Sequence, residues 1–220
     1  MVFKTRDLLV RQRNQIVNAL RRHLMEYGIV VPAGLTFVRR LEREIDDPDT
    51  PLPLLVVELG RLLIDQLQSC NTNMTVVERQ MKEEKRDPEA LRLQTAPGIG
   101  PVSARAIRAF GPDMYSFRRG RDLAAWLGLV PLQKSTGGKQ KLGRTSKMGQ
   151  RDIRRLLIIG AMTRIRWAVK NGAPEGSWLP KMLQRKPRLL IAIAVANKTA
   201  RAIRAMMTKG EEYRGEPVSA

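Results

Sequence analysis

Cysteine and histidine are nearly missing from this chain, whose 220 residues include one of each. The single cysteine, Cys70, has no partner for a disulfide within the chain. One cysteine and one histidine also cannot supply the ligands of a cysteine–histidine metal site. Because chains without disulfides are typical of reducing compartments, we expect a cytoplasmic protein.

Aromatic residues and long hydrophobic runs are also scarce. Aromatics make up only 5% of the residues, so Leu, Ile, Val, Ala and Met must fill the core, but the apolar total of 43% is enough for a packed fold. The longest apolar run near the C-terminus, Leu189–Ala196, is far too short to span a bilayer. The N-terminal residues MVFKTRDLL lack the features of a signal peptide. These absences favour a folded protein that does not insert into a membrane.

Negative charge is in short supply, above all in the second half of the chain. The sequence has 40 Lys and Arg against 21 Asp and Glu, a formal net charge of +19. Residues 42–94 hold 12 acids and 7 basic residues, whereas residues 95–220 hold 7 acids and 25 basic residues. A surface this basic attracts a polyanion, and nucleic acid is the commonest one. A ribosome-associated basic protein is the alternative, and binding to a membrane surface is a weaker one.

The spacing of apolar residues predicts a mostly α-helical chain with no run of alternating strands. Thr5 is suited to cap a first helix that stops at Gly28, and a short helix is predicted over Leu35–Ile45. Further helices are predicted over 52–86, 89–94, 101–110, 120–127, 150–170 and 188–208. We divide the chain into an N-terminal helical linker region (1–50), a coiled-coil-like helix (51–87), a helical C-terminal domain (88–209) and an acidic tail (210–220) that we expect to fray.

The coiled-coil-like helix carries apolar residues at heptad spacing. One set is spaced by seven and a second set fills the alternate position: Val56, Leu63, Cys70 and Val77, then Leu67, Met74 and Met81. Such a seam fits a core helix within one domain, and it equally fits an antiparallel hairpin or a dimeric coiled coil. We expect a homo-oligomer that forms through this helix.

The segment Leu91–Phe110, LRLQTAPGIGPVSARAIRAF, resembles the hairpin of a helix-hairpin-helix module. Gly98 and Gly100 lack Cβ atoms, so the hairpin backbone can approach a phosphate closely, and the free N–H groups of the following helix point at the anion. Ile99 is predicted to pack inward and hold the turn. The alternative is an ordinary glycine–proline turn between two helices.

The stretch QKSTGGKQK, residues 133–141, places two hydroxyls and two glycines among lysines. It is not a nucleotide-triphosphate loop, because Gly138-Lys139 is followed by Gln140 instead of Ser or Thr. A hydroxyl nucleophile needs a base or an electrostatic aid, and the nearby cations supply the second. Spacing alone favours a loop that grips phosphate over a catalytic one, and a solvated charged face is the plainest alternative. The candidate nucleic-acid-binding residues here are Lys134, Gly137, Gly138, Lys139, Lys141, Arg144, Lys147, Arg151 and Arg154.

Three longer stretches carry a family resemblance. TAPGIGPVSA, then FRRGRDLAAWLGLVPLQKSTGGKQKLGRTSKMGQRDIRRLLIIGAM, together with the N-terminal RDLLVRQRNQIVNALRRHLMEYGIVVPAG, resemble the linker and C-terminal domain of the insertion-sequence transposase family numbered one hundred and ten, with its relatives 116, 902 and 1111. The resemblance implies DNA transposition through a serine nucleophile that holds the strand as a phosphoserine. It also implies a guide (bridge) RNA in some members, and dimers or tetramers.

Carried over onto this chain, the nucleophile falls at Ser135 or Thr136. Many members have Ser-Ser-Gly in this loop where this chain has Ser-Thr-Gly, and the serine nearest the glycine would correspond to Thr136. We favour Ser135, because a primary hydroxyl is less hindered. The family's RuvC-like domain, with its DEDD carboxylates for divalent metal, is not part of this sequence, and Asp113, Asp122 and Asp152 are too scattered to replace it. We therefore expect a truncated or split transposase with no cofactor of its own, with Mg²⁺ only alongside a RuvC-like domain.

That expectation leaves a second hypothesis, a non-catalytic relic that still binds nucleic acid. Trp126, Trp167 and Trp178 are expected to be core or interface residues; base stacking is the alternative, and nothing in the sequence supports it.

Overall fold

The structure, a computed structural model, describes residues 1–83, 87–135, 138–139, 141–173 and 176–215. The chain divides into two compact units, Met1–Glu83 and Glu84–Ala220. Both are built from helices, as the sequence predicts.

The first unit is a helical hairpin with a short cross-piece. Its helices are α1 (Val2–Glu26), α2 (Val38–Asp46) and α3 (Leu54–Glu83), with a 3-10 turn at Leu35–Phe37 before α2. Arg6, near the start of α1, donates to Glu78, near the end of α3, at 2.7 Å. Leu24, near the end of α1, shares a hydrophobic cluster with Val56, near the start of α3. These contacts fix α1 and α3 as antiparallel.

The heptad seam of α3 is covered from within the same unit. Leu67 and Cys70 pack with Ile16 and Val17 of α1 in one buried cluster. The seam therefore belongs to an antiparallel packing of two helices of one chain, which was one of the alternatives that the spacing left open.

The second unit wraps a helical layer around its last long helix. Its elements are α4 (Pro88–Gln94), α5 (Pro101–Phe110), α6 (Gly120–Trp126), β1 (Pro131–Gln133), β2 (Leu142–Thr145), α7 (Arg151–Asn171), α8 (Leu179–Arg185) and α9 (Arg188–Lys209). A 3-10 turn, Met114–Ser116, precedes α6. The α9 residues Ile191, Ala192, Ala196 and Ala200 are fully buried, and α6 and α7 pack against this helix. Its small side chains let the neighbouring helices approach closely.

Three details differ from the sequence expectations. Thr5 does not cap α1: the helix starts earlier, with Met1 as its N-cap, and the Thr5 hydroxyl donates to the Met1 carbonyl. The short strands β1 and β2 and the helix α8 were not predicted. At the start of the tail, the Tyr213 N–H donates to Thr95 Oγ1 at 2.9 Å.

The described residues contain neither a membrane-spanning helix nor a cluster of metal-binding side chains. No helix there is long and apolar enough to cross a membrane. No group of three or more His, Cys, Asp or Glu side chains lies close enough to hold a metal ion.

Candidate functional site

The stretch around Ser135 is a β-hairpin that projects from the helical core of the second unit. β1 and β2 are antiparallel, with Pro131 opposite Thr145 and Gln133 opposite Leu142, and the register shifts between these two pairs. No side chain of either strand is buried. The hairpin therefore owes its position to its base.

The base of the hairpin is held where its two ends cross. The Lys147 N–H donates to the Gly128 carbonyl at 3.2 Å, and the Ser146 N–H donates to Val130 at 2.8 Å. Gly128 and Gly149 both have positive φ, and a Cβ on Gly149 would overlap the Trp126 carbonyl oxygen. Because both residues are glycines, the two chain segments at the base of the hairpin can approach each other closely.

Arg154 ties this base to helix α7. One nitrogen of its guanidinium donates to the Leu127 carbonyl at 3.0 Å and to the Met148 carbonyl at 2.7 Å. Burial, and then the positive charge of Arg151, lower the pKa of Arg154. Since that nitrogen is committed to the protein backbone, Arg154 acts first as a structural clamp. Arg151, one turn earlier, is exposed.

The Ser135 hydroxyl sits at the exposed end of the hairpin. Its Oγ accepts a hydrogen bond from the Lys141 N–H at 3.1 Å, and the Lys134 N–H donates to the Lys141 carbonyl at 2.8 Å. This contact uses a lone pair of the hydroxyl oxygen and not its proton. An N–H aimed at this oxygen also favours negative charge on it. The neighbouring candidates Thr136 and Gly137 lie outside the described residues, as does Gln140.

Five cationic side chains of the hairpin have no carboxylate partner among the described residues. Lys134, Lys139, Lys141, Arg144 and Lys147 are all exposed. Among the ion pairs that the structure gives for the described part of the chain, none involves these five. Lys147 has φ 55, a backbone conformation rare outside glycine. The hairpin thus presents uncompensated positive charge on both strands and at its base.

The turn before α5 is a second exposed feature of this unit. The Ile99 N–H donates to the Ala96 carbonyl at 3.0 Å, with Pro97 and then Gly98 (φ +88) between them, which is the pattern of a type II turn. Ile99 is buried, as predicted. Gly100 is the N-cap of α5 and supplies no side-chain cap, so the first amides of that helix lack an intrahelical acceptor.

Gly98 has a structural task that the sequence did not reveal. A Cβ on Gly98 would lie 2.8 Å from the carbonyl oxygen of Gly160, in the middle of α7. The missing side chain therefore lets the turn pack against a helix, whereas the sequence reasoning assigned it to phosphate approach. At Gly100 a Cβ would meet nothing within 4 Å. Gly160 was missed, although a glycine inside a long apolar helix is a recognisable signal of close packing.

The carboxylates of this unit near the hairpin serve helix ends. Asp113 accepts from the Tyr115 N–H at 3.0 Å, and Asp122 accepts from the Arg119 N–H at 2.8 Å. Asp152 lies in the first turn of α7. The structure therefore gives Asp113 and Asp122 a local role at the start of a helical turn or helix.

The chain is similar in sequence to known insertion-sequence transposases. Residues 90–174 match the model of the transposase IS116/IS110/IS902 family. Over 96% of its length the chain is 39% identical to a Pseudomonas aeruginosa protein named "Probable family 20 transposase", of which it covers 63%. It is 35% identical to the transposase for insertion sequence element IS1328 of Yersinia enterocolitica, again over 96% of this chain and 63% of that protein.

A third relative extends the same relationship. The chain is 31% identical to the transposase for insertion sequence element IS1111A of Coxiella burnetii, over 97% of this chain and 59% of that protein. The chain thus spans about 60% of the length of these relatives. The chain is therefore similar, over nearly its whole length, to insertion-sequence transposases, and its residues 90–174 match the IS116/IS110/IS902 family.

Proposed function

We propose that the second unit is the DNA-holding part of an insertion-sequence transposase, in which the hairpin 131–145 brings a hydroxyl to a phosphodiester. One observation carries the proposal: the Ser135 hydroxyl lies at the exposed end of a hairpin whose lysines have no carboxylate partners among the described residues. A flexible loop would give such a hydroxyl no fixed direction. The Gly128–Gly149 crossing and the Arg154 clamp hold this hairpin on the core.

The turn at Gly98–Gly100 serves as a second grip on the DNA backbone. It is exposed, and the uncapped amides at the start of α5 are suited to an anion. Contacts of this kind read phosphate and not base sequence. Because Gly98 already packs on Gly160, the phosphate approach is assigned to Gly100 and the α5 amides.

In the complete enzyme the hairpin supplies the nucleophile. The oxygen of Ser135, or of Thr136, forms a bond to phosphorus while the bond from phosphorus to a sugar oxygen breaks. The hydroxyl loses its proton, and the departing sugar oxygen gains one. Lys139 and Lys141 then stabilise the charge that develops on the non-bridging oxygens. A divalent metal such as Mg²⁺, held by a RuvC-like domain outside this sequence, would help to position the phosphate.

The chain by itself is proposed to bind DNA without joining strands. Asp113, Asp122 and Asp152 are occupied at helix ends, so these residues give no support for a metal set of this chain's own. The positions of these three carboxylates equally favour the second candidate function, a protein that binds DNA without catalysing any reaction. A structured guide RNA is a further proposed partner of the basic surface.

Homo-oligomer formation is assigned to a different face of α3 from the one that the heptads indicated. The heptad seam is taken up by α1. Leu55, Leu59 and Leu62 form an exposed stripe on the first half of α3, and together with Tyr27 they border an apolar cavity of about 380 Å³. Exposed apolar stripes of this kind are typical of helix–helix contacts between chains.

DNA affinity measured against salt tests the binding part of the proposal. Each phosphate neutralised on duplex DNA contributes a slope of about −0.9 in a log–log plot of affinity against salt. We expect Lys139→Gln and Lys141→Gln each to make the slope shallower by about one such contact. The control Lys181→Gln removes the same charge from exposed α8 and leaves the slope unchanged. A salt-insensitive complex, or equal effects of all three variants, would contradict the proposal.

Covalent trapping separates the enzyme from the binding-only protein. With a RuvC-like domain and Mg²⁺ added in trans, we expect a protein–DNA adduct that either Ser135→Ala or Thr136→Ala abolishes while DNA affinity stays nearly intact. If no adduct forms with any version of the chain, the binding-only function is the correct one. If the adduct persists in both variants, another group is the nucleophile and the assignment to Ser135 or Thr136 is wrong.

A further inference from the structure

Trp167 stands apart from the other two tryptophans of the chain. Trp126 and Trp178 are partly buried and pack against the core of the second unit. Trp167 is 58% exposed on helix α7, so of the two expected locations, core or interface, it does not occupy the core. The exposed part of this indole buries no apolar surface in the folded chain, so it is available to stack on a ligand.

The indole lies at the edge of a cavity of about 420 Å³ in the second unit. Pro97 and Gly98 of the turn form one wall of the cavity, and Thr163 and Trp167, one helical turn apart, form the opposite one. The walls stand this close because Gly98 packs on the main chain of Gly160. The space is within the range of small-ligand sites and is large enough for one nucleobase.

Polar groups are placed around an apolar floor. Ala168 and Leu179 are buried at the floor of the cavity. The Ser177 Oγ accepts from the Leu179 N–H at 3.3 Å, which leaves its proton free to donate. The Thr163 hydroxyl donates to the Ile159 carbonyl at 3.2 Å, which leaves its lone pairs free to accept. One free donor and one free acceptor beside an aromatic face match the edge and the plane of a base.

A group of positive charges adjoins the cavity. Arg164 lines it and also acts on Lys198, whose pKa is lowered by burial and then by the charges of Arg164 and Arg201. The Lys198 Nζ lies 5.8 Å from the centre of the Trp178 ring. The binding of a phosphate near these cations would reduce the electrostatic repulsion between them. The cavity therefore offers a base-sized space with a phosphate-attracting side.

We propose that this cavity, the Trp167 cavity, receives one unpaired base of a DNA strand, which stacks on Trp167 while its phosphate lies towards Arg164. The inference rests on the proposed function: we name DNA as the ligand because the adjacent turn, Gly98–Gly100, is proposed to bind the DNA backbone. An unpaired base is required because a base inside a duplex has no free face to stack on an indole. The cavity thereby selects single-stranded or locally opened DNA at this side of the unit.

The experiment compares one DNA sequence as a single strand and as a duplex, titrated into the full chain, with 2-aminopurine as the stacking reporter. Base–aromatic stacking predicts that Trp167→Ala weakens single-strand binding roughly 5- to 150-fold and removes the quenching of 2-aminopurine. Duplex affinity stays within about twofold, since the variant removes no phosphate contact. Trp167→Phe keeps the quenching, and Ile159→Ala, an equally exposed apolar truncation on α7 outside the cavity, has no effect.

A charge variant tests the phosphate side. Arg164→Gln is expected to make the single-strand salt slope shallower by about 0.7, the value for one contact, whereas Trp167→Ala leaves that slope unchanged. Circular dichroism of each variant checks that the helices are intact.

Several results would overturn the inference. Trp167→Ala could weaken duplex and single strand equally, or neither. RNA of the same sequence could bind more tightly than DNA and depend on Trp167, or the variant could change the sedimentation of the free protein, which would assign the cavity to a second copy. If the unaltered chain binds no DNA of either form, the proposed function fails as well. If one of the contrary results above is obtained while the unaltered chain binds duplex DNA with the expected salt slope, only the Trp167 cavity is refuted.

Discussion

The main chain of Gly98 lies directly against the main chain of Gly160, and side chains are excluded from both positions. A Cβ on Gly98 would stand 2.8 Å from the Gly160 carbonyl oxygen, and a Cβ on Gly160 would overlap the Gly98 carbonyl oxygen. This contact joins the turn before α5 to the middle of α7. It thereby sets the distance between the two walls of the Trp167 cavity.

Gly160→Ala tests this contact, because two effects of the substitution oppose each other. Alanine is favoured over glycine inside a helix by about 1 kcal/mol. Here, however, the methyl group meets backbone that cannot move aside, and overpacking of this kind costs about 1–3 kcal/mol. We expect a net destabilisation of about 1 kcal/mol, measured by urea unfolding.

Gly100→Ala is the matched control for that measurement. It adds a Cβ to the same turn at an ordinary φ of −96, where nothing lies within 4 Å. Its free energy of unfolding is expected to change by no more than about 0.5 kcal/mol. If Gly160→Ala proved more stable than the unaltered chain, the close approach of the turn to α7 would be wrong.

Two glycines, Gly138 between the strands of the hairpin and Gly149 at its base, provide a second matched pair. They have nearly the same positive φ, +74 and +76, but a Cβ on Gly138 would meet nothing within 4 Å, whereas a Cβ on Gly149 would overlap the Trp126 carbonyl oxygen. Gly138→Ala therefore carries only the backbone penalty of about 1–2 kcal/mol. Gly149→Ala adds a steric clash, and we expect it to be less stable than Gly138→Ala by at least about 1 kcal/mol in thermal unfolding. Equal stability of the two variants would mean that the hairpin is not anchored at Gly149.

The ion pair at the start of α4 predicts a dependence of stability on pH. Burial raises the pKa of Asp87, but the hydrogen bond and charge of Arg108 and the amides of Glu89 and Ala90 lower it more, so that the net shift is downward. A carboxyl group with a lowered pKa in the folded state stabilises the fold above its unfolded pKa of about 3.9. The stabilisation is lost as the pH falls through the folded-state pKa. The effect is small, because both side chains are partly exposed.

Asp87→Asn isolates that charge. The Asp87 carboxylate also caps α4 by accepting from the Glu89 N–H at 3.0 Å, a task that asparagine performs equally well. We expect Asp87→Asn to lower the melting temperature slightly at pH 6 and to match the unaltered chain near pH 2. Asp87→Ala, which also removes the cap, loses about 1 kcal/mol and stays less stable at both pH values. A constant difference between Asp87→Asn and the unaltered chain from pH 6 to pH 2 would contradict the assignment.

The sequence predicted the helices of this chain well, because their apolar spacing is a local signal. It also predicted that Ile99 packs inward. The strands β1 and β2 were not predicted, because they are short and unburied and therefore have no alternating hydrophobic pattern. Helix α8 was not predicted because it is short and contains a proline, a residue that usually ends a helix; Pro180 sits in the first turn, where proline is tolerated. The partner of Gly98 could not be predicted, since Gly160 meets it only through the folding of residues far apart in the chain.

The proposed oligomer contact on α3 makes the last prediction. Leu59 is 53% exposed in the middle of the Leu55–Leu59–Leu62 stripe, so Leu59→Glu leaves the fold of a single chain intact and introduces charge into the proposed contact. We expect this variant to sediment as a monomer at concentrations where the unaltered chain forms oligomers, because burying an unpaired carboxylate costs more than an apolar contact of this size returns. Leu91→Glu changes a leucine of matching exposure, 52%, in the second unit and should leave the oligomers unaffected. Oligomers that persist in Leu59→Glu, or that disappear in Leu91→Glu, would assign self-association to another surface.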